Sequence, residues 1–410
     1  MGDDQLAVLD IHQLEIISYL GRGARGVVFL ARDKSSNGEL FALKTILKVA
    51  TSTNKHKKID HNDSSELSEI HFEQKVLRVL QHPLLPKLRG ILATKIITGY
   101  AIDYCPGRDL NYLRKKQTER MFSVDIIRFY AAELVLALEY LHNMGIAYRD
   151  LKPENIMIQE NGHLMLVDFD LSTKLSPKLP SSEERSIILE KSPLLPKSNS
   201  KPPMKKRNNN RLSLFCCRHD FPIQDSVHPA ESEDHISEPI STYTITSSFS
   251  KTNSFVGTEE YIAPEMLQGN GHDHMVDFWC LGIVLYEMLY GTTPFKGINR
   301  KVTFYNILSK TPELVGETTP LRDLIRKLLV KDPKERISMV QIKGHEFFLG
   351  VDWEKILDIA RPPFVPGPLD ENGMDVNNID IEGFVKNVFE ANVDCDVDKE
   401  KEESDGFLIF

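Results

Sequence analysis

The chain contains Tyr148-Arg149-Asp150-Leu151-Lys152-Pro153-Glu154-Asn155, followed further on by Val167-Asp168-Phe169-Asp170. Transfer of a phosphoryl group needs a carboxylate near the attacking hydroxyl, a cation for the charge that develops on the transferred group, and oxygen ligands for magnesium. Asp150 can accept the hydroxyl proton, and Lys152 can face the γ-phosphate. Asn155 and Asp168 can supply two metal ligands. The stretch predicts a phosphotransfer centre, with a polar loop of scattered charges as the alternative.

A glycine-rich stretch lies upstream between two apolar runs, within residues 13–47 that read as strands. Glycine has no side chain, so the backbone there can approach phosphates closely. A dinucleotide-binding fingerprint is the alternative, but that fingerprint opens a helix, whereas Val27-Val28-Phe29-Leu30 continues as a strand. The pattern therefore favours a loop that covers phosphates.

The order of motifs along the chain resembles that of protein kinases. The catalytic-loop string and Asp168 are followed by Ser254-Phe255-Val256-Gly257-Thr258-Glu259-Glu260-Tyr261-Ile262-Ala263-Pro264-Glu265. The resemblance covers about residues 15–365 apart from one insertion. It implies an α+β, bilobal protein kinase fold, in which a small β-rich lobe with one main helix precedes a larger helical lobe. The implied bounds are 1–13 for an N-terminal extension, 14–349 for the kinase domain, about 14–102 for its first lobe and about 106–349 for its second.

The resemblance also implies that ATP is the substrate and Mg²⁺ the cofactor. The Lys44 ammonium group would lie beside the α- and β-phosphates, although by itself a surface lysine is the simpler interpretation. The apolar spacing predicts a helix over 66–81 with Glu73 on its buried face, where a carboxylate needs a cation. Lys44 is the partner that the family pattern implies. Glu69, one turn earlier, is the alternative to Glu73.

Strands predicted over 91–104 end in Ile102-Asp103-Tyr104-Cys105, which resembles the connector between kinase lobes, whose backbone binds adenine. Asp109 follows at the position that often meets the ribose. The implied ATP-binding residues are Leu20, Gly21, Arg22, Gly23, Ala24, Arg25, Gly26, Val27, Val28, Lys44, Glu73, Asp103, Cys105 and Asp109.

Protein substrates are implied as well. The family places carboxylates in the peptide groove, here Glu154 and Glu287 with Asp109 nearby. Carboxylates form strong charge-assisted hydrogen bonds with guanidinium groups. The resemblance therefore implies a preference for Arg or Lys on the N-terminal side of the target Ser or Thr.

Other residues have structural roles in the resemblance. Asp277 looks like the buried carboxylate that braces the catalytic loop, and Arg336 looks like the partner of Glu265. From the residues alone, Ser123 is a candidate N-cap for a helix that runs to His142, because apolar residues recur there every three or four positions. Gly145 is expected to end that helix.

Residues 173–252 differ from the rest in composition, with fifteen Ser and nine Pro. This composition is typical of a disordered segment. Because Asp168 and Glu265 are 97 positions apart, we interpret the segment as an insertion in the activation segment. Residues 197–218 hold seven Lys or Arg and no acid, and a nuclear signal, a patch that contacts acidic lipid and a solvated linker all remain open.

The C-terminal tail, residues 350–410, resembles that of the AGC group of serine/threonine kinases and ends in a hydrophobic motif with Phe407 and Phe410. Two features resemble the plant AGC subgroup that includes the auxin-linked kinases. One is the insertion, and the other is Asp170, which stands where most kinases have glycine. The resemblance implies phosphorylation of Ser254 by a phosphoinositide-dependent kinase that docks on Phe407 and Phe410, and a role in oxidative or defence signalling. The tail lacks a clear acidic-aromatic string for packing over the nucleotide.

Composition fits a soluble globular chain, with 41% hydrophobic and 27% charged residues. The sequence shows neither a signal peptide nor an apolar run long enough to span a membrane. We therefore expect the protein in the cytoplasm. If residues 197–218 act as a targeting signal, we also expect it in the nucleus or at the inner surface of the plasma membrane. The five cysteines match neither a disulfide framework nor a zinc spacing. The net charge of −9 arises in the tail, where residues 366–410 hold thirteen acids against three bases, and nothing favours nucleic acid as a partner.

Two classes of function compete. An active kinase needs Lys44, Asp150, Asn155 and Asp168, and all four are present. A pseudokinase scaffold, or an adaptor that recruits partners through the insertion and the tail, normally lacks one of them. The sequence therefore favours an active enzyme.

Overall fold

We describe the fold from a computed structural model. It describes residues 7–23, 26–34, 38–48, 72–175, 259–269, 271–358, 363–364, 366 and 380–390. Ser254, Phe407, Phe410, the insertion and residues 197–218 lie outside this set, as do Ala24 and Arg25 of the glycine-rich loop. No helix in the described part of the chain is long and apolar enough to cross a membrane.

Six strands form one sheet in the N-terminal part, in the order β1-β5-β6-β4-β3-β2. β1 pairs with β5 in parallel, and the other pairs are antiparallel. The glycine-rich loop joins β2 to β3, as the sequence predicts. The strands are β1 Val8–Leu9, β2 Leu14–Arg22, β3 Val27–Asp33, β4 Leu40–Leu47, β5 Leu88–Ala93 and β6 Ile97–Asp103.

The register of the sheet decides which side chains face the site. Val28 pairs with Lys44, and Lys44 pairs with Tyr100, so these three side chains share one face. Their neighbours on the opposite face include Phe29 and Leu43, which pair with each other. We call the face with Lys44 the inner face and the other the outer face.

One helix, α1, covers the inner face over residues 72–79. The predicted helix over 66–81 is confirmed only for this part, because residues 49–71 lie outside the described set. Glu73 lies in its first turn and is almost fully buried, as expected from its place on the apolar face of the helix.

The C-terminal part is mainly helical, which agrees with the expected bilobal architecture. Its central helices are hydrophobic on most sides, as a helix in the middle of a core must be. Further elements are α2 Leu110–Lys115, α3 Val124–Asn143, β7 Ile146–Ala147, β8 Ile156–Ile158, β9 Leu164–Leu166, β10 Thr173–Lys174, α4 Pro264–Gln268, α5 Met275–Tyr290, α6 Arg300–Ser309, α7 Pro320–Leu328, α8 Met339–Lys343 and, in the tail, α9 Ile381–Glu390.

Helix α3 follows its sequence prediction closely. The Ser123 side chain accepts a hydrogen bond from the Ile126 amide, which satisfies one of the unpaired donors of the first turn. Gly145 has a φ of 71°, a left-handed conformation that glycine adopts without strain, and it directs the chain from α3 into β7. The catalytic-loop residues follow β7.

Candidate active site

A cavity that is open to solvent on one side lies between the inner face of the sheet and the segment after β6. Its lining is largely apolar, as expected for a site that holds a flat base. It is lined by Leu20, Val28, Ala42, Lys44, Tyr100, Ile102, Asp103, Tyr104, Cys105, Met157, Val167 and Asp168.

The structure corrects the position of one residue that we expected at the nucleotide, Val27, and shows a structural role for a second, Asp109. Val27 lies on the outer face, in an apolar cluster with Phe29 and Leu43, because adjacent strand residues face opposite sides. Asp109 is buried and caps α2 by accepting a hydrogen bond from the Tyr112 amide at 2.7 Å. The cap gives Asp109 a structural role, and its contact with ribose stays a prediction.

In the described part of the glycine-rich loop, the two ends are hydrogen-bonded to each other and packed closely against the sheet. The Gly23 amide donates to the Gly26 carbonyl at 2.8 Å. A Cβ atom on Gly26 would lie only 2.8 Å from the Thr45 carbonyl oxygen, so a larger residue would displace the loop from the sheet. The Arg22 side chain extends toward the outer face, where it contacts Phe389.

The Lys44 ammonium group lies among three carboxylates. Its Nζ atom is 3.4 Å from Glu73, 3.0 Å from Asp168 and 3.1 Å from Asp170. Burial alone would lower the pKa of Lys44, but the three carboxylates raise it well above its usual value, so the ammonium stays charged. The predicted Lys44–Glu73 pair is present. The contact with Asp170 was not predicted, because the sequence indicated only a missing glycine at that position.

Two side chains of the catalytic loop contact the Asp150 carboxylate and fix its position. The Lys152 ammonium lies 2.9 Å from the Asp150 carboxylate, and the Asn155 amide donates to the same carboxylate at 2.7 Å. Burial raises the pKa of Asp150 to about 6, although Lys152 opposes that rise. A carboxylate with this pKa is still ionised at neutral pH and is a stronger base than a solvated one.

The oxygens that could hold a metal ion are also in place. Asn155 is fully buried, and its Oδ1 atom has no hydrogen-bond partner among the described residues. Asp168 adopts a φ of 61°, a strained backbone conformation for a residue other than glycine, of the kind that occurs at functional sites. An amide oxygen and a carboxylate are hard donors that suit Mg²⁺, so these residues fit the ion.

Asp277 fixes the backbone of the catalytic loop through hydrogen bonds. Its two carboxylate oxygens accept hydrogen bonds from the amides of Tyr148 at 3.0 Å and Arg149 at 2.7 Å, and His142 lies 2.7 Å away. Arg149 also has a left-handed φ of 69°. The brace therefore fixes a strained backbone directly before Asp150, as the resemblance implied.

A second buried ion pair supports the helical part. Arg336 forms a two-pronged interaction with Glu265 at 2.8 and 3.0 Å, and both side chains are buried. A bidentate guanidinium–carboxylate pair combines charge with fixed geometry. The structure thus brings together the two residues that the sequence pattern paired.

The carboxylates expected to bind a basic peptide differ in their surroundings. Glu287 is already paired with Arg114 at 3.0 Å and accepts a hydrogen bond from the Tyr261 hydroxyl. Glu154 has one carboxylate oxygen without a hydrogen-bond partner in the described structure, and burial and the nearby Glu287 and Asp109 raise its pKa. Sequence reasoning missed Arg114, which no motif singled out.

Comparisons with known proteins agree with this geometry. The family described as "Protein kinase domain" matches residues 14–187 and 241–348. The serine/threonine-protein kinase OXI1 of Arabidopsis thaliana is 55% identical over 95% of this chain and 88% of that protein. The kinases UCN and WAG2 of the same plant are 41% and 38% identical, over 87% and 88% of this chain and 85% and 69% of those proteins.

Proposed function

Since the chain belongs to the protein kinase family, and within it to the plant AGC serine/threonine kinases, we propose that it transfers the γ-phosphoryl group of ATP to Ser or Thr residues that follow Arg or Lys. The observation that supports catalysis best is the arrangement of Asp150, Lys152 and Asn155. Asp150 accepts the proton of the substrate hydroxyl as its oxygen bonds to the γ-phosphorus. The bond to the bridging oxygen breaks, and ADP leaves.

Lys152 and Lys44 supply positive charge in this reaction. Lys152 lies beside Asp150, where it would face the transferred group. Lys44 borders the cavity, where it would face the other phosphates. Mg²⁺, held by Asn155 and Asp168, would neutralise phosphate charge and orient the leaving group. The unpartnered Asn155 oxygen supports this assignment.

The preference for basic residues rests on Glu154 and its acidic neighbours. One carboxylate oxygen of the half-buried Glu154 is itself buried and has no hydrogen-bond partner in the described structure. A substrate guanidinium that reached this oxygen would satisfy it and would also relieve its repulsion by Glu287. Glu287 is the weaker candidate, because Arg114 already neutralises it. Substrate recognition therefore depends more on Glu154 than on Glu287.

Activation through phosphorylation is a further part of the proposal. Arg149 lies beside the catalytic base, where its side chain donates to the Leu171 carbonyl and lies 3.1 Å from His272. A phosphate on Ser254 would add roughly −1.5 to −2 charges for Arg149 to bind, which orders the activation segment. A phosphoinositide-dependent kinase that docks on Phe407 and Phe410 is the proposed donor. Replacing both phenylalanines with Ala should lower Ser254 phosphorylation in cells, and a normal rate would refute the docking role.

The cellular role is proposed from the resemblance alone. A place in oxidative or defence signalling is the first candidate, with residues 197–218 as a contact for acidic lipid or a nuclear signal and cytoplasm, nucleus and plasma-membrane surface as the compartments. An adaptor function of the insertion and tail is the second candidate. A variant without catalysis that kept full cellular function would favour the adaptor.

Phosphate transfer from ATP to a degenerate basic peptide library tests the proposal directly. The wild type should select Arg or Lys before the target residue, and Asp150→Asn should transfer phosphate about 10²–10⁴-fold more slowly. Glu154→Gln should flatten the selection, whereas Glu160→Gln, which alters an exposed carboxylate, should not. A wild-type preference for acidic or proline-containing peptides would contradict the proposed specificity.

A further inference from the structure

A second cavity, of about 510 Å³, lies in the helical part beside the loop between α6 and α7. It shares no lining residue with the nucleotide cavity, and its volume is within the range of sites for small molecules. It is lined by Thr311, Pro312, Leu314, Gly316, Thr318, Arg322, Arg326, Leu329, Val330 and Lys331. Among the described residues, the lining therefore includes three basic side chains and no acidic one.

The Arg322 guanidinium is held in a fixed position at this cavity. Its Nε atom lies 2.8 Å from the Tyr290 hydroxyl oxygen and 2.9 Å from the Val315 carbonyl oxygen, and its Nη1 atom donates to the Glu317 carbonyl at 3.1 Å. These acceptors are neutral, and Nη2 forms no hydrogen bond with a residue that the structure describes. A Cβ atom on Gly316 would lie 2.7 Å from Nη2, so the glycine keeps this end of the guanidinium uncovered.

The Lys331 ammonium also lines the cavity, and it forms no ion pair with any acidic residue in the described part of the chain. Its Nζ atom donates to the Ile307 carbonyl and lies 4.0 Å from the centre of the Phe295 ring and 4.9 Å from that of Trp279. Burial and the nearby Arg336 lower the pKa of Lys331 to about 8. A half-buried cation without an acidic partner loses hydration and gains no ion pair, so an anion in the cavity would stabilise it.

The other lining groups indicate the kind of anion. Thr311 and Thr318 add two hydroxyl donors, whereas Arg326 contributes less, because it already forms an ion pair with Asp323. A phosphate group accepts several hydrogen bonds at once and pairs well with both guanidinium and ammonium groups.

The cavity is also larger than a phosphate ion needs. Pro312, Leu314 and Leu329 give it an apolar surface on which an organic part of the ligand can pack.

We propose that this cavity binds a small organic phosphate monoester, with Arg322 and Lys331 as the charged ligands of its phosphate group. The phosphate accepts hydrogen bonds from the fixed guanidinium and forms the ion pair that Lys331 lacks within the described structure. The site is separate from the nucleotide cavity, so the inference does not rest on the proposed function.

Lysine labelling of the full chain with acetic anhydride at pH 8, read by peptide mass spectrometry, tests the site. Glycerol 3-phosphate is the probe. With a pKa of about 8, Lys331 is about half deprotonated and reacts readily. If bound phosphate raises this pKa by about one unit, the neutral fraction falls to about one tenth, so the labelling should become about fivefold slower. Labelling of Lys334, an exposed neighbour, should not change.

Variants locate the phosphate. Arg322→Gln removes a charged donor, so the probe concentration that gives half of the protection at Lys331 should rise about tenfold. Because Arg322 also holds the loop, Thr318→Val is a second variant that keeps those contacts. It removes one neutral donor, and the required concentration should rise about fivefold. Lys334→Met should match the wild type.

Two further arms separate the alternatives. Potassium chloride at the same ionic strength should not protect Lys331, and inorganic phosphate should need an about tenfold higher concentration, because it lacks the organic part. No protection by glycerol 3-phosphate, or equal protection by potassium chloride, would overturn the site. Equal potency of inorganic phosphate would overturn the monoester as its ligand. Labelling involves no phosphoryl transfer, so a chain that phosphorylates no peptide would refute the proposed function and leave this result unaffected.

Discussion

At the level of single residues, the most unusual feature is that three carboxylates share the Lys44 ammonium. The phosphates of ATP must enter this cluster, so an anion there opposes them. Asp170→Asn removes one of the three negative charges without changing the shape of the side chain. We predict that it binds ATP without Mg²⁺ roughly tenfold more tightly, or ~1.4 kcal/mol.

Isothermal titration calorimetry in the presence of a chelator measures this change. Glu346→Gln, at an exposed position, is the matched control for loss of one negative charge. Weaker binding by Asp170→Asn would mean that Asp170 supports the phosphates instead of opposing them.

A second prediction concerns the pKa of Asp150, which burial raises to about 6. A general base must be deprotonated, so kcat/KM should be constant above this pH and fall about tenfold per pH unit below it. Lys152→Met removes a cation that lowers the pKa of Asp150, so the acid limb should move to higher pH. Rates measured from pH 5 to 8 check both statements. An acid limb that does not move in Lys152→Met would contradict the electrostatic coupling.

At the level of elements, Asp277 connects α5 to the catalytic loop through two backbone amides. Asp277→Asn keeps the shape but turns an amide donor toward one of those N–H groups, which leaves that group without an acceptor. An unsatisfied buried donor costs about 1–3 kcal/mol. We predict a loss of that size in the free energy of unfolding and a lower kcat, because the backbone before Asp150 is no longer fixed.

Urea denaturation and steady-state kinetics measure the two effects. Glu335→Gln, an exposed change of the same kind, should show neither. Full activity in Asp277→Asn would show that the amides do not need this carboxylate.

Elements also show what the sequence could and could not predict. The strands around the glycine-rich loop and helix α3 were predictable, because periodicity depends on neighbours in the chain. The Lys44–Glu73 pair was implied only by the resemblance to kinases, since the two residues lie far apart in the sequence. The burial of Val27 was not predictable, because a motif names positions whereas the sheet register decides which of them face the cavity. Helix α9 was missed because its partner surface lies about 350 residues earlier in the sequence.

At the level of the whole molecule, the cavity joins the sheet to the helical part. Val28 and Lys44 come from the sheet, whereas Met157 and Val167 come from the segment around β8 and β9. A nucleotide in the cavity would bind both parts at once and stabilise the folded state. At a ligand concentration about 100 times the Kd, linkage contributes about 2.7 kcal/mol.

We therefore predict that ADP with Mg²⁺ raises the midpoint of thermal unfolding by several degrees. Lys44→Met should abolish most of the increase, because it removes the cation that faces the phosphates. A wild type without any shift at saturating nucleotide would argue against this cavity as the nucleotide site.

Asp150 is the proposed base of the phosphoryl transfer, and single-turnover phosphate transfer to a basic peptide tests this role most directly. With enzyme in excess and ATP and Mg²⁺ saturating, Asp150→Asn should lower the rate of the chemical step by about 10²–10⁴-fold. The Kd for ADP should change by less than about threefold, because Asp150 does not border the cavity. A single-turnover rate for Asp150→Asn within a few-fold of wild type would contradict the account.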